Sequence, residues 1–427
     1  MSTRKSSLPV SRRGFLKSTA AAAASTAILA PSVHAAGGDT LKVALIGCGG
    51  RGTGAAKNAL AADSNVKLVA VADVFEDLAV KGLNTVKSAF PDKVDVPPER
   101  IFSGFDGYKA AIDAAAVVVM ATPPGFRPIH LKYAVEKGKH VFMEKPHAVD
   151  VAGAKSVIES AKLAKEKGLG IVSGFCYRYD NFKRETVKRI HDGQIGKINA
   201  IHTTFLTGEL WTRATKTNDP KEMEYQLRMW YYFSWLSGDF IVEQAVHNVD
   251  KACWLMNGEL PINASGLGGR QVRTDPKYGN IWDNFSIVYE YASGAKVFLQ
   301  CRQMNDCMGD NNDHIMATKG TAHLMRHTIK SDSGTWKHDG EHDFGNMYQQ
   351  EHNELFASIR AGKPVNDGLV SANSTLMAIL GREAAYTGQK ITWEKLLKSE
   401  QSITPKEFAW GENPVAAIAK PGKTKFA

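Results

Sequence analysis

The sequence is poor in cysteine, and its few cysteines are scattered. Cys48, Cys176, Cys253, Cys301 and Cys307 form no CxxC pair in 427 residues. That excludes a disulfide framework and argues against a paired-cysteine zinc site. Cys301 and Cys307 are close enough in sequence to pair in an oxidising compartment, but the plainer reading is five small, buried or half-buried residues. Long apolar runs are missing too: no segment reaches the ~20 residues that a membrane-spanning helix needs. Beyond the start of the chain, basic runs are also absent. A formal charge of +9 and a pI near 9.1 ordinarily raise nucleic acid as a partner. However, Arg4, Lys5, Arg12, Arg13 and Lys17 crowd the first 35 positions with no acid, and the remainder carries a net charge of only +4. Nucleic-acid binding is therefore not expected. With 43% hydrophobic and 23% charged residues, the chain is globular and long enough for two or three cores.

What is present begins with an address. "SRRGFLK", Ser11 to Lys17, carries a twin arginine, and a mild apolar stretch runs from Ala20 to Ala30. Val33-His34-Ala35 then supplies small residues where a signal peptidase cuts. Residues 1–35 read as a twin-arginine export signal, which places the protein in the periplasm or otherwise outside the cytoplasm. That route carries folded cargo, typically proteins that take up a cofactor before export.

Leu41 to Ile46 is a continuous apolar run of strand length, and a helical pattern starts near Thr53. Between them Gly47, Gly49 and Gly52 make G-x-G-x-x-G. The first glycine permits a tight turn, the second admits a pyrophosphate, and the third allows close helix–strand packing. A second strand, "VKLVAVAD", ends in Asp73, about 20 residues on, where a carboxylate accepts hydrogen bonds from an adenosine ribose. The same carboxylate repels a 2′-phosphate, so the expected cofactor is NAD. The alternation continues through a strand from Ala116 to Ala121, the helix "RPIHLKYAVEKG", the strand of "KHVFMEKPH" and a helix from Val151 to Lys167. This predicts a doubly wound parallel sheet with its ligand beyond the carboxyl ends of the strands. Thr122, Pro123, Glu144 and Lys145 all fall at such ends. A lysine between a buried strand and a proline is placed to hydrogen-bond a substrate hydroxyl.

A second candidate stretch is "GDFIVEQAVHNVD", residues 238 to 250. As one helix it puts Asp239, Glu243 and His247 on a single face. That pattern alone fits a half-buried amphipathic helix, a metal site or an acid/base pair. No metal is expected, because the second histidine of an H-E-x-x-H arrangement is absent and hydride transfer to NAD needs none.

These motifs resemble the glucose–fructose oxidoreductase / inositol dehydrogenase family (Gfo/Idh/MocA). The likeness runs from "GCGGRG" through "ATPP…H", "GKHVFMEKP" and "GFCYRYD" to "GDFIVEQAVHNVD" and "HIMATKGTAHL". It implies a Rossmann domain followed by an α/β domain on a large, mostly antiparallel sheet, which supplies the substrate pocket and commonly an oligomer interface. Homo-oligomers through that sheet are expected. Gly50, Arg51, His130 and Glu144 lie within these motifs and join the cofactor-binding set. By the same resemblance Lys145 contacts the nicotinamide ribose and substrate, His247 accepts the hydroxyl proton, and Glu243 orients it or binds substrate, with Asp250 closing the signature. The family usually has aspartate where Glu243 stands, and one methylene shifts a carboxylate by about an ångström.

The second half is rich in aromatic residues from Trp211 to Trp235. Trp211 and Trp230 are the stronger candidates for sugar faces, and Arg213 and Arg228 for hydroxyls or a carboxylate, though core packing explains such clusters equally well. Tyr177 and Arg178 follow the last parallel strand and should face the cleft. His323 and His327 suit one helix face, while the "HDGEHD" stretch reads as an exposed turn region. The chain divides into a signal (1–35), an NAD-binding domain (39–175), a substrate and oligomerisation domain (176–410) and a poorly ordered tail (411–427). The expected activity is oxidation of a secondary alcohol on a sugar, glycoside or polyol by an exported oxidoreductase with tightly bound nicotinamide. Two other readings stand beside it: a glycosidase or lyase acting through transient oxidation and elimination, and a non-catalytic secreted carbohydrate-binding protein.

Overall fold

A computed structural model describes residues 39–213, 215 and 218–426. The expected export signal lies outside them. Among the described residues no helix is long and apolar enough to cross a membrane.

Short runs of Val, Ile, Leu and Ala, buried on both faces, build the first sheet. Strands β1 (Leu41–Ile46), β2 (Val66–Asp73), β3 (Ile101–Ser103), β4 (Val117–Met120), β5 (His140–Met143) and β6 (Ile171–Ser173) are parallel, in the order β3-β2-β1-β4-β5-β6. Helices α1 (Gly50–Ala62), α2 (Glu76–Ala89), α3 (Gly107–Asp113), α4 (Arg127–Glu136) and α5 (Val151–Glu166) make the crossovers. The order reverses between β1 and β4, which opens a crevice at their carboxyl ends. Helix α1 begins at Gly50, earlier than Thr53, because the Gly49 carbonyl already accepts from the Thr53 N–H.

The next helices are α6 (Asn181–His191), α7 (Met223–Arg228), α8 (Ser234–Ser237), α9 (Phe240–Glu243) and α10 (Val246–Leu255). The second sheet has nine strands: β7 (Ile198–Thr207), β8 (Asn263–Gly269), β9 (Asn284–Glu290), β10 (Lys296–Gln303), β11 (Asp310–Ala317), β12 (Gly320–His323), β13 (Thr328–Ser331), β14 (Gly334–Lys337) and β15 (Ile391–Thr392). Only β7 and β10 pair in parallel; the other pairings are antiparallel. Along β10, Val297, Leu299 and Cys301 are buried while Lys296, Phe298 and Gln300 are exposed. One face therefore packs on the core and the other is open.

The chain then returns to the first sheet. Helix α11 (Asn346–Arg360) lies against α1, and its Leu355, Phe356 and Ile359 share a core with Val43, Ala55 and Ala59. Asn366 bridges to Ile171 at the β6 edge before α12 (Gly368–Thr387) packs on α5 and β8. The last helix is α13 (Trp393–Lys398).

The structure corrects four expectations. Residues 238–250 are not one helix: α9 and α10 are separated at Gln244–Ala245. Asp239 precedes α9 with φ of 69° and turns inward, where its carboxylate accepts from Phe240 N (2.6 Å), Trp282 N (2.8 Å) and the Tyr386 hydroxyl (2.5 Å). It shares no face with His247. His323 and His327 share no helix either, since His323 ends β12 and His327 occupies a left-handed turn at φ 52°. The tail is packed: Asn413 N donates to Lys221 O (2.6 Å), Gly422 N to Thr387 O (2.9 Å), and Val415, Ala419 and Phe426 rest on the core. Ile418 alone of its larger apolar residues stays exposed. All five cysteines are free, and Cys307 is exposed rather than buried.

Candidate active site

Sheet geometry brings the glycine turn, Asp73 and Thr122-Pro123 into one cleft of about 340 Å³. Gly47 has φ of +87°, and a Cβ there would lie 2.6 Å from the Ala121 backbone. At Gly52 a Cβ would sit 1.8 Å from Gly47 O, so both positions require glycine. Gly49 and Gly50 differ: an added Cβ meets nothing within 4 Å. Open space thus lies over the α1 N-terminus, where free N–H groups and the helix dipole favour a pyrophosphate. Asp73 accepts from Cys48 N (2.8 Å) and Phe75 N (3.1 Å), which fixes its carboxylate at the cleft wall. Burial raises its pKa, and the nearby Arg213 guanidinium works against that. These residues fit a dinucleotide, with the adenosine ribose at Asp73.

The reaction end lies at the β5 terminus. Lys145 Nζ donates to Glu243 O (2.5 Å) and Glu243 Oε1 (3.0 Å), and both side chains are nearly buried. Two of the three ammonium hydrogens are committed, which leaves one for a ligand. The Glu243 carboxylate is therefore spent on Lys145 rather than on orienting His247. The His247 ring stands edge-on to Tyr177 (5.3 Å between centroids), and its Nδ1 is buried without a partner. Burial holds this imidazole well below its ordinary pKa, and the positive charges of Lys145, Lys251 and Arg51 push it further. A neutral imidazole in the neutral pH range is a competent proton acceptor. Asp250 does not point to His247. It takes Arg178 in a fork (Nε–Oδ2 2.9 Å, Nη2–Oδ1 2.9 Å) and accepts from Ser374 (2.7 Å). Arg178, expected at the substrate, is consumed by that pair and lies over Trp254.

The remaining expected residues divide between two places. Trp211, Arg213 and Trp230 line the dinucleotide cleft alongside Asp73 and Phe75, whereas Tyr177 stays with His247. His130 lines the cleft as well, bonded to Thr122 (3.3 Å) and stacked near Tyr108; burial drops its pKa to about 3. Arg51 bonds Glu144 and also Glu351 of α11 (2.9 Å). Its guanidinium thus ties the glycine turn to the residue before Lys145. Two contributors were missed in the sequence. Arg127, fully buried, donates to Pro146 O (2.5 Å) and so anchors the backbone just past Lys145. Glu351 lies 300 residues from its partner, beyond any spacing rule. Arg127 offered a signal, a charge at the first turn of a helix whose neighbours are all apolar.

Comparison with known proteins agrees with this two-part fold. Residues 41–172 match the model of an oxidoreductase family with an NAD-binding Rossmann fold, and residues 184–323 match the GFO/IDH/MocA C-terminal domain. An inositol 2-dehydrogenase of Rhizobium meliloti is 24% identical over 349 residues, covering 78% of this chain and 94% of that protein. A scyllo-inositol 2-dehydrogenase (NAD(+)) of Bacillus subtilis is 24% identical, covering 69% and 78%. Among solved structures, a levoglucosan dehydrogenase in complex with NADH and levoglucosan superimposes with a TM-score of 0.64 at 19% identity, over 83% of this chain and 99% of that one. A myo-inositol 2-dehydrogenase of Lactobacillus plantarum gives 0.63 at 21% identity, over 83% and 99%. With both of its halves matched in order, the chain belongs to the Gfo/Idh/MocA family of NAD-dependent oxidoreductases.

Proposed function

We propose that this enzyme oxidises a secondary hydroxyl of a sugar, glycoside or polyol, and that it works after export with its nucleotide tightly held. The observation that carries the substrate reading is the meeting of Lys145, Glu243 and His247 at the carboxyl edge of the sheet, next to the dinucleotide cleft. NAD, when bound, accepts or returns a hydride. The remaining tasks belong to the chain. The free hydrogen of Lys145 orients the substrate hydroxyl, and neutral His247 takes its proton. Glu243 holds Lys145 in place and balances its charge. Other cations near the reaction end are paired as well: Arg178 with Asp250, Lys251 with Asp313 (2.6 Å) and Lys183 with Asp180 (2.7 Å). A site with its charges balanced internally suits a neutral, hydroxyl-rich ligand better than an acidic one. The relatives named above as inositol and levoglucosan dehydrogenases are consistent with that class.

The test is to load the purified chain with NAD and screen neutral sugars, glycosides and polyols for the absorbance of reduced nicotinamide. Reduction by at least one neutral polyol is expected, with product analysis distinguishing a ketone from a cleaved glycoside. Reduction only by acidic sugars would overturn the reading. Cleavage of a glycoside without net reduction would replace it by the elimination reaction.

A further inference from the structure

The wall of the dinucleotide cleft opposite the Rossmann sheet is made by the other half of the molecule. At the adenosine end that wall is fastened down. Arg228, at the end of α7, lines the cleft and lies 3.9 Å above the centre of the Phe75 ring. Its Nη1 and Nη2 reach Asp77 of α2 at 3.4 and 3.3 Å, and its Nε reaches Glu224 at 3.2 Å. One guanidinium therefore spans from the substrate half to the nucleotide half across the mouth of the adenosine pocket.

A second fastening comes from the end of the chain. Trp410 packs against Phe105 (5.0 Å) and Phe75 (5.8 Å), both of which line the same pocket. Two residues earlier, Phe408 packs on Phe126 (4.8 Å) and Trp235 (6.1 Å). The segment is stitched to the approach to α7 by backbone bonds, Met223 N to Gly411 O (2.8 Å) and Asn413 N to Lys221 O (2.6 Å), and by Gln226 Nε2 to Asn413 O (2.6 Å). Residues 408–413 thus brace α7 from behind while their rings grip the nucleotide half from the front. Neither the Arg228–Asp77 pair nor Trp410 is needed to complete the Rossmann core, whose cluster contains neither.

We propose that Arg228 and Trp410 form a clasp over the adenosine end of the bound dinucleotide, and that this clasp sets the rate at which nucleotide leaves. The inference rests on the NAD reading of the cleft and supplies the device by which the nucleotide is retained through many turnovers. An adenosine seated against Asp73 departs only after the two halves part at Phe75. That movement breaks an ion pair, a cation–π contact and two aromatic contacts together.

The experiment follows release directly, without any sugar. The full chain is loaded with NADH, excess ADP-ribose is added as competitor, and the loss of bound-nicotinamide fluorescence is timed. Asp77→Asn removes the charge that Arg228 meets on the nucleotide half, at an exposed helix position, so it leaves the core intact; Trp410→Ala removes the second fastening. Asp77→Asn is expected to release NADH about threefold faster than the parent and Trp410→Ala about tenfold faster, with the double variant faster still, since affinity differences of this kind reside mainly in dissociation. Release from both single variants at the parent rate would overturn the clasp while leaving the NAD reading intact. Failure of the parent chain to take up NADH would overturn the NAD reading itself, and the clasp with it.

Discussion

At the scale of the residue, the chemistry turns on keeping one imidazole neutral and one ammonium charged within the same small volume. Burial and three nearby cations act on His247 in the same direction, downward. The sign for activity follows. A base with a lowered pKa is lost only when pH falls below its depressed value, so the acid limb of kcat/KM for alcohol oxidation should lie well below pH 6.5. His247→Ala should lower kcat by about 10² to 10⁴ with little change in NADH binding. A pH–rate profile that turns down at 6.5 or above would show that another group takes the proton. The same downward shift carries a stability consequence. His130 and His147 are buried neutral, each held to a pKa of about 3 by desolvation. Their contribution is present above pH 6.5 and is lost as pH falls from there toward 3. Asp239 acts oppositely, because a carboxyl raised to about 6 favours the folded state at the acid end.

At the scale of the element, α11 is the telling case. It lies more than 170 residues beyond the last Rossmann strand, yet Leu355, Phe356 and Ile359 fill the face of the nucleotide domain that α1 leaves open. Leu355→Ala should cost about 2 to 5 kcal/mol, read in a urea titration, and should weaken NADH binding because α1 carries the phosphate-binding turn. If Leu355→Ala left the urea midpoint unchanged, the nucleotide domain would not depend on α11. Nothing in the sequence disclosed this. Local periodicity gives no address for the apolar face of a helix. By contrast the glycine turn, Asp73, Thr122, Lys145 and His247 were legible, because each sits at a strand end or in a motif whose chemistry requires that residue type. The continuity of residues 238–250 was misread for a related reason. A four-residue spacing is compatible with one helix or two; the break at Gln244–Ala245 makes it two, and Asp239 turns away before the first of them, toward Trp282 and Tyr386. Arg178 and Arg51 looked like ligand-binding charges because their partners, Asp250 and Glu351, are remote in sequence.

At the scale of the whole molecule, the open face of the nine-stranded sheet is left without a covering layer among the described residues. The strand register puts Leu267, Val288, Phe298, His202, His314 and Met316 on that one face. Leu267, Phe298 and Met316 are exposed there and supply apolar area that a second copy could cover. We propose that the homo-oligomer implied by the family resemblance is joined through this face. Light scattering should give a multiple of the 46.5 kDa chain mass, and Phe298→Lys should shift it toward the single chain without disturbing nucleotide uptake. A parent chain that scatters as one copy at micromolar concentration would remove the proposal.

The return of α11 to the first domain also governs when that domain can exist. During synthesis, the ribosome releases all six parallel strands long before Leu355, Phe356 and Ile359 emerge, and the sheet waits with one flank bare through the making of the entire second domain. Residues 408–413 emerge later still. The strands of the nucleotide domain are thus made early, while its core is completed only when Leu355, Phe356 and Ile359 arrive.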